Sequence, residues 1–142
     1  MTIHAESRIV LAPADRVFDI VADVESYPDF LPLWREARIL ERNGNRYRTE
    51  QEVGIAKIRA TFVTDTELRR PTRIEVSSGD PMFREFFIFW DLSSFGNGCR
   101  IEMALACEVA ARPLQLAIDR LLPRTARAMV AAFEKRAALL LG

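Results

Sequence analysis

Residues Pro113–Leu141 read PLQLAIDRLLPRTARAMVAAFEKRAALLL, and the fold follows from what this stretch requires. Leu114, Ile118, Leu121, Leu122, Thr125, Met129, Ala132 and Phe133 recur mostly three and four positions apart, the spacing of one helical face. A helix over the whole stretch is about 43 Å long at about 1.5 Å per residue, enough to cross a small domain. Pro123 lacks an amide donor and crowds the carbonyl four residues back, which predicts a kink near Leu122. One apolar face of this length needs a broad surface to lie across. A bent helix over a concave sheet leaves a cavity between them.

The residues upstream supply that sheet. Ile3–Leu11 alternates, with Ile3, Ala5, Ser7, Ile9 and Leu11 on one side and His4, Glu6, Arg8 and Val10 on the other, which predicts a strand. Pro13 and Asp15 suit the first turn of a helix that buries Val17, Phe18, Ile20, Val21 and Val24. A second short helical piece covers Val24–Phe30, interrupted by Pro28 and stopped by Pro32. Strands are then predicted over Trp34–Arg42, Arg46–Val53, Ala56–Leu68, Arg73–Ser78, Arg84–Ser94 and Cys99–Val109. Their punctuation is Asn43-Gly44, Gly54, Arg70-Pro71, Ser78-Gly79-Asp80-Pro81 and Gly96-Asn97-Gly98, turn chemistry spaced for an antiparallel meander.

A chain of 142 residues suits one domain over 1–142, able to bury roughly 68–70% of its unfolded surface. Lysine plus arginine and aspartate plus glutamate stand at 20 each, which argues against nonspecific nucleic-acid binding by the molecule as a whole. No apolar run is long enough to span a bilayer and no secretion signal opens the chain. The expected location is the cytoplasm, with peripheral membrane contact as the nearest approach to a bilayer. Cys99 and Cys107 are eight positions apart on one strand, roughly 27 Å if extended, so both read as reduced core residues. With His4 the sole histidine, neither a zinc cluster nor a histidine-based catalytic pair can be assembled, and no cofactor or metal is expected.

The order of strand, two short helices, six antiparallel strands and a long terminal helix is that of the α+β helix-grip (START/Bet v1-like) fold, a curved seven-stranded antiparallel sheet wrapped on its C-terminal helix. Val24-Glu25-Ser26-Tyr27-Pro28-Asp29-Phe30-Leu31-Pro32-Leu33-Trp34, the following Arg35–Leu40, Trp90, Leu121-Leu122-Pro123 and Met129–Phe133 resemble the START-like polyketide cyclase/dehydrase family. Within that family the chain looks like the branch holding coenzyme Q-binding proteins and the bacterial ribosome-association toxin. That resemblance implies an apolar tunnel between sheet and last helix, taking an isoprenoid quinone or another lipid. It also implies two rival roles: binding a ribosomal subunit, and cyclase or dehydratase chemistry on a polyketide.

The expected tunnel lining is Phe30, Leu31, Trp34, Tyr47, Thr49, Gln51, Phe62, Thr64, Trp90, Met103, Leu121, Thr125 and Met129. Thr49, Gln51, Thr64 and Thr66 face inward, where an unpaired hydroxyl or amide costs about 1–3 kcal/mol, so they either pair with one another or meet a polar ligand head. Tyr27, Phe30, Leu31 and Trp34 are expected to form a movable lid over the tunnel mouth, a plug closing one end of the core being the alternative. Phe87 and Phe89 point outward beside Met82 and Phe83, as a homodimer, membrane or protein contact would require. Arg38, Arg42, Arg46, Arg48 and Arg59 alternate with Glu41, Glu50 and Glu52, the pattern of a salt-bridged solvated face. Catalysis needs a positioned acid or base in the tunnel, and Tyr47 is the one inward candidate, so a non-enzymatic carrier of a hydrophobic ligand is the favoured reading.

Overall fold

The computed structural model describes residues 1–55 and 57–141. The elements are β1 (Thr2–Val10), α1 (Ala14–Ala22), a 3₁₀ helix (Val24–Asp29), β2 (Trp34–Asn43), β3 (Arg46–Ile55), β4 (Ile58–Arg69), β5 (Arg73–Ser77), β6 (Phe83–Phe95), β7 (Gly98–Val109) and α2 (Arg112–Leu141). The expected start of the fourth strand at Ala56 lies outside the described residues. The seven strands form one antiparallel sheet in the order β1-β7-β6-β5-β4-β3-β2, and α2 crosses its concave face.

Alternation decides which side of each strand is buried. Tyr47, Thr49, Gln51 and Val53 of β3, Phe62, Thr64 and Thr66 of β4, Ile74 of β5, Trp90 and Leu92 of β6, and Ile101, Met103 and Leu105 of β7 are all buried, as period-two patterning dictates. The tight β2–β3 connection is Gly44-Asn45 between paired Asn43 and Arg46, with Gly44 at φ 62, a backbone state glycine enters without steric cost. The sheet's outer face carries paired charges: Arg38 meets Glu50 at 2.8 Å, Arg46 meets Glu67 at 2.6 Å and Arg48 meets Asp65 at 2.9 Å. Arg42 instead lies over the Tyr47 ring. On the same face the Phe87 and Phe89 rings stack on each other at 4.5 Å, half buried, with Arg73 over Phe89.

The terminal helix runs through Pro123 without interruption. Its buried face is Ile118, Ala126, Met129, Val130, Phe133 and Ala137, rotated by roughly 70° from the predicted stripe at about 100° per residue. Leu121 and Thr125 fall on the half-buried flank. The small side chains Ala126 and Ala137, 0% and 1% exposed, let the helix backbone approach its neighbours closely, which moves the contact line toward them.

β1 presents its polar side to the helix. Thr2 donates to Asp119 at 2.6 Å and Arg8 to Glu134 at 2.7 Å, while Ile3 and Leu11 stay 74% and 86% exposed. Hydrogen bonds from Thr2, then Gln115, hold the Asp119 carboxyl below its ordinary range. α1 is tied to the β4–β5 turn by Arg70, which donates twice to Asp19 and lowers that carboxyl's pKa. The pair is exposed and adds little stability.

Candidate functional site

Sheet and helix do not close fully on each other. Between them lies a cavity of about 110 Å³, close to the size of a void that accepts a single benzene ring. Its floor comes from the concave side of β3 to β7, including Tyr47, Gln51, Phe62, Thr64, Ile74, Ile88, Trp90 and Leu105. Its roof is Leu114, Ile118, Leu122 and Met129 of α2, and Val24, Tyr27, Leu33 and Trp34 close one side. No charged side chain lines it among the described residues. Among the described wall residues Ile58 alone is exposed, and Met82, Phe83, Phe86 and Leu114 are among those half-buried. The topology collects the β3–β4 turn, the start of β6 and the start of α2 at one end of the sheet, and this end is the cavity's mouth. Phe62, Phe83 and Phe86 pack there with ring centroids 4.7–6.0 Å apart.

One polar cluster interrupts the apolar wall. The Trp34 indole N–H donates to Gln51 Oε1 at 2.7 Å, and Gln51 Nε2 donates to Thr49 Oγ1 at 3.0 Å and to Thr64 Oγ1 at 2.9 Å. The two threonine hydroxyls share a further bond of 2.7 Å. Period-two alternation puts Thr49 and Gln51 on one side of β3, and the β3–β4 register sets Thr49 directly opposite Thr64. Thr49, Gln51 and Thr64 thus satisfy each other, and Gln51, Thr64 and the separate Thr66 also face the cavity. One hydroxyl hydrogen of the pair has no acceptor within the cluster, so a bound carbonyl or ether oxygen could take it. Gln51→Leu would strand the indole N–H and leave the two hydroxyls only each other. It is expected to cost about 2 kcal/mol, read as a lowered midpoint in urea unfolding.

Deeper in the wall, Tyr47 donates to the Ala22 carbonyl at 2.9 Å. Burial pushes its phenol up to about 12, so it keeps its proton at neutral pH and offers no general base. Burial likewise raises the Cys107 thiol to about 11. Both cysteines are buried and unpaired, and such thiols are unreactive.

Of the expected lining, Trp34, Tyr47, Gln51, Phe62, Thr64, Trp90 and Met129 lie on the cavity wall. Thr49 reaches it only through the cluster. Phe30, Leu31 and Met103 belong to the adjoining solid core, because the aromatic segment after the 3₁₀ helix folds onto Phe133. Leu121 and Thr125 look away from the hollow on the flank of α2. Tyr27 and Phe30 meet the Phe133 ring edge-on at 5.5 and 5.4 Å, and Tyr27 meets Trp34 at 5.9 Å. The Tyr27 hydroxyl donates to the Val21 carbonyl, Leu31 N–H to the Tyr27 carbonyl at 2.9 Å, and Arg136 covers Phe30. In this structure the expected lid is a packed plug closing the side between β2 and the C-terminal half of α2. The mouth residues Ile58, Met82, Phe83 and Leu114 were not anticipated as lining. The available signal was an apolar residue opening an element directly after a turn: Ile58 at the start of β4, Met82-Phe83 at that of β6 and Leu114 at that of α2.

Comparison with known proteins follows this geometry. The family described as "Polyketide cyclase / dehydrase and lipid transport" matches residues 10–134. The chain is 34% identical over 134 residues to the ribosome association toxin RatA of Escherichia coli K12, covering 92% of this chain and 85% of that one. It is 30% identical over 89 residues to the mitochondrial coenzyme Q-binding protein COQ10 of Dictyostelium discoideum, covering 61% of this chain and 42% of that one. A crystal structure from Thermus thermophilus superposes with a TM-score of 0.89 at 18% identity, over 99% of this chain and all of that one, a likeness of fold. The chain belongs to the START-like polyketide cyclase/dehydrase and lipid-transport family.

Proposed function

We propose that the protein binds a hydrophobic ligand, a lipid or isoprenoid quinone, without transforming it. The observation that carries this reading is the apolar hollow beneath α2 with its single polar cluster. At about 110 Å³ the hollow has room for one ring or a short chain. A quinone or lipid head would sit against Gln51 and Thr64, with a longer tail leaving past Ile58, Phe83 and Leu114. Each Å² of apolar ligand surface removed from water contributes about 25 cal/mol. Trp34, Tyr47, Phe62, Trp90 and Met129 would form the contact wall. The COQ10 relative, named for coenzyme Q binding, supports the choice of a quinone. A cytoplasmic location suits the two free buried cysteines, and no described helix is long and apolar enough to cross a membrane.

The test is lipid extraction of purified protein followed by mass spectrometry. A long-chain quinone or lipid is expected at near-stoichiometric amounts, and repeated absence of any ligand, with no uptake on titration, would refute the reading.

A second reading rests on a different observation. Relatives that share about a third of their residues with nearly the whole chain are named as ribosome association toxins, and we infer that association with a ribosomal subunit is a further role. The two readings use different surfaces and are compatible.

A further inference from the structure

The charge on this molecule is unevenly placed. The whole chain is neutral, with 20 cations and 20 carboxylates. Yet α2 alone carries six cations, five arginines and Lys135, against Asp119 and Glu134, a net charge of +4 that leaves the remainder at −4. Both carboxylates are turned to the sheet: Asp119 accepts from Thr2 and Gln115, and Glu134 from Arg8. Arg112, Arg120, Arg124, Arg127 and Lys135 are all exposed. Among the described residues none of the five has a carboxylate within ion-pair distance. At 100° per residue they fall within an arc of about 140°, over about 35 Å of helix. The arrangement works against the helix: Arg120 and Arg124 repel at i,i+4, Arg124 and Arg127 at i,i+3, and Arg112 opposes the dipole at the N-terminus. The arginines on the sheet, by contrast, mostly meet carboxylates.

From this placement we infer that the solvent face of α2 is a docking surface for the phosphate backbone of structured RNA. The inference rests on the ribosome reading and assigns it a surface. Four of the five groups are guanidiniums, whose planar fork matches phosphate oxygens. An anionic bilayer fits less well. A helix lying on a membrane needs a continuous apolar stripe to insert; that of α2 packs on the sheet, and its exposed Leu116, Leu139 and Leu140 do not line up as a second one. Contacts of this kind position without reading sequence, so binding should be weakly sequence-dependent and strongly salt-dependent.

The test uses the intact protein with three probes: a fluorescein-labelled RNA duplex, purified ribosomal subunits of both sizes, and vesicles of phosphatidylcholine with phosphatidylglycerol. The duplex should bind at low salt, with log affinity falling against log salt at a slope of about −4. Combining Arg120→Glu, Arg124→Glu and Arg127→Glu should weaken it by about 100-fold or more, and the glutamine versions of the same three by about tenfold. Arg38→Glu with Arg48→Glu, which disrupts paired sheet arginines, should change it less than about threefold. Circular dichroism should show an unchanged fold, since all these positions are exposed. The inference is overturned by absence of duplex binding at low salt, by equal loss in the sheet variant, or by binding to vesicles alone. Subunits that co-sediment equally with the wild type and the helix variant would overturn it while leaving the ribosome reading standing. Failure of the wild type to bind either subunits or duplex would remove both.

Discussion

Phe133→Ala is expected to lower the unfolding free energy by about 3–5 kcal/mol, seen as a large fall in the urea midpoint with little change in slope. Phe133 is 1% exposed and is the one ring that touches Tyr27, Phe30 and Trp90 together, at 5.2–5.5 Å and all edge-on. It joins three elements, the terminal helix, the 3₁₀ helix with the residue that follows it, and β6. The neighbouring rings cannot collapse into the gap without breaking the Tyr27 bond to Val21, so most of the void persists. The void adjoins Tyr27, Trp90 and Met129, which line the hollow. The variant should therefore take larger apolar ligands than the wild type while being less stable, a pairing that simple loss of structure does not produce.

Gly98→Ala is expected to cost about 3 kcal/mol, at the upper end for overpacking. A methyl group built on Gly98 would lie 2.1 Å from the Val10 carbonyl oxygen and 3.1 Å from the Leu11 Cα. Both are backbone, so no side chain can swing aside. Relief requires the end of β1 to lift from β7, loosening the Val10–Cys99 pairing and exposing Val10, which is 3% exposed in the core. Gly44→Ala should cost less, since nothing lies within 4 Å of its added methyl and only its φ of +62° resists.

These effects explain which parts of the structure could be read in advance. Strand alternation was legible because each sheet face has one environment: Tyr47, Thr49, Gln51 and Val53 could only face in together. The terminal helix was legible from its length and stripe. What the pattern did not reveal was the rotation of roughly 70°, at about 100° per residue, that sends Leu121 and Thr125 to the flank, because that depends on how near Ala126 and Ala137 allow the helix to approach. Nor could Phe30 and Leu31 be told from cavity lining. Both are apolar and near the hollow, and only the packing on Phe133 makes them plug. The polar cluster was foreseen as a pair of alternatives, self-pairing or facing a cavity, and Gln51 and Thr64 do both. The charge row on α2 is visible in the sequence only as composition. Its meaning depends on knowing that Asp119 and Glu134 are engaged by β1.

The proposed carrier role puts an apolar molecule in the space beneath α2. The chain has two tryptophans, Trp34 and Trp90, and both stand on the wall of that space. Their indole N–H resonances form an isolated pair in a proton–nitrogen correlation spectrum. Titration with a benzoquinone bearing a short alkyl tail should shift both signals along saturating curves and leave the exposed amides of the outer sheet face unmoved. Two indole signals that stay fixed while the quinone is shown to be in solution would contradict the account.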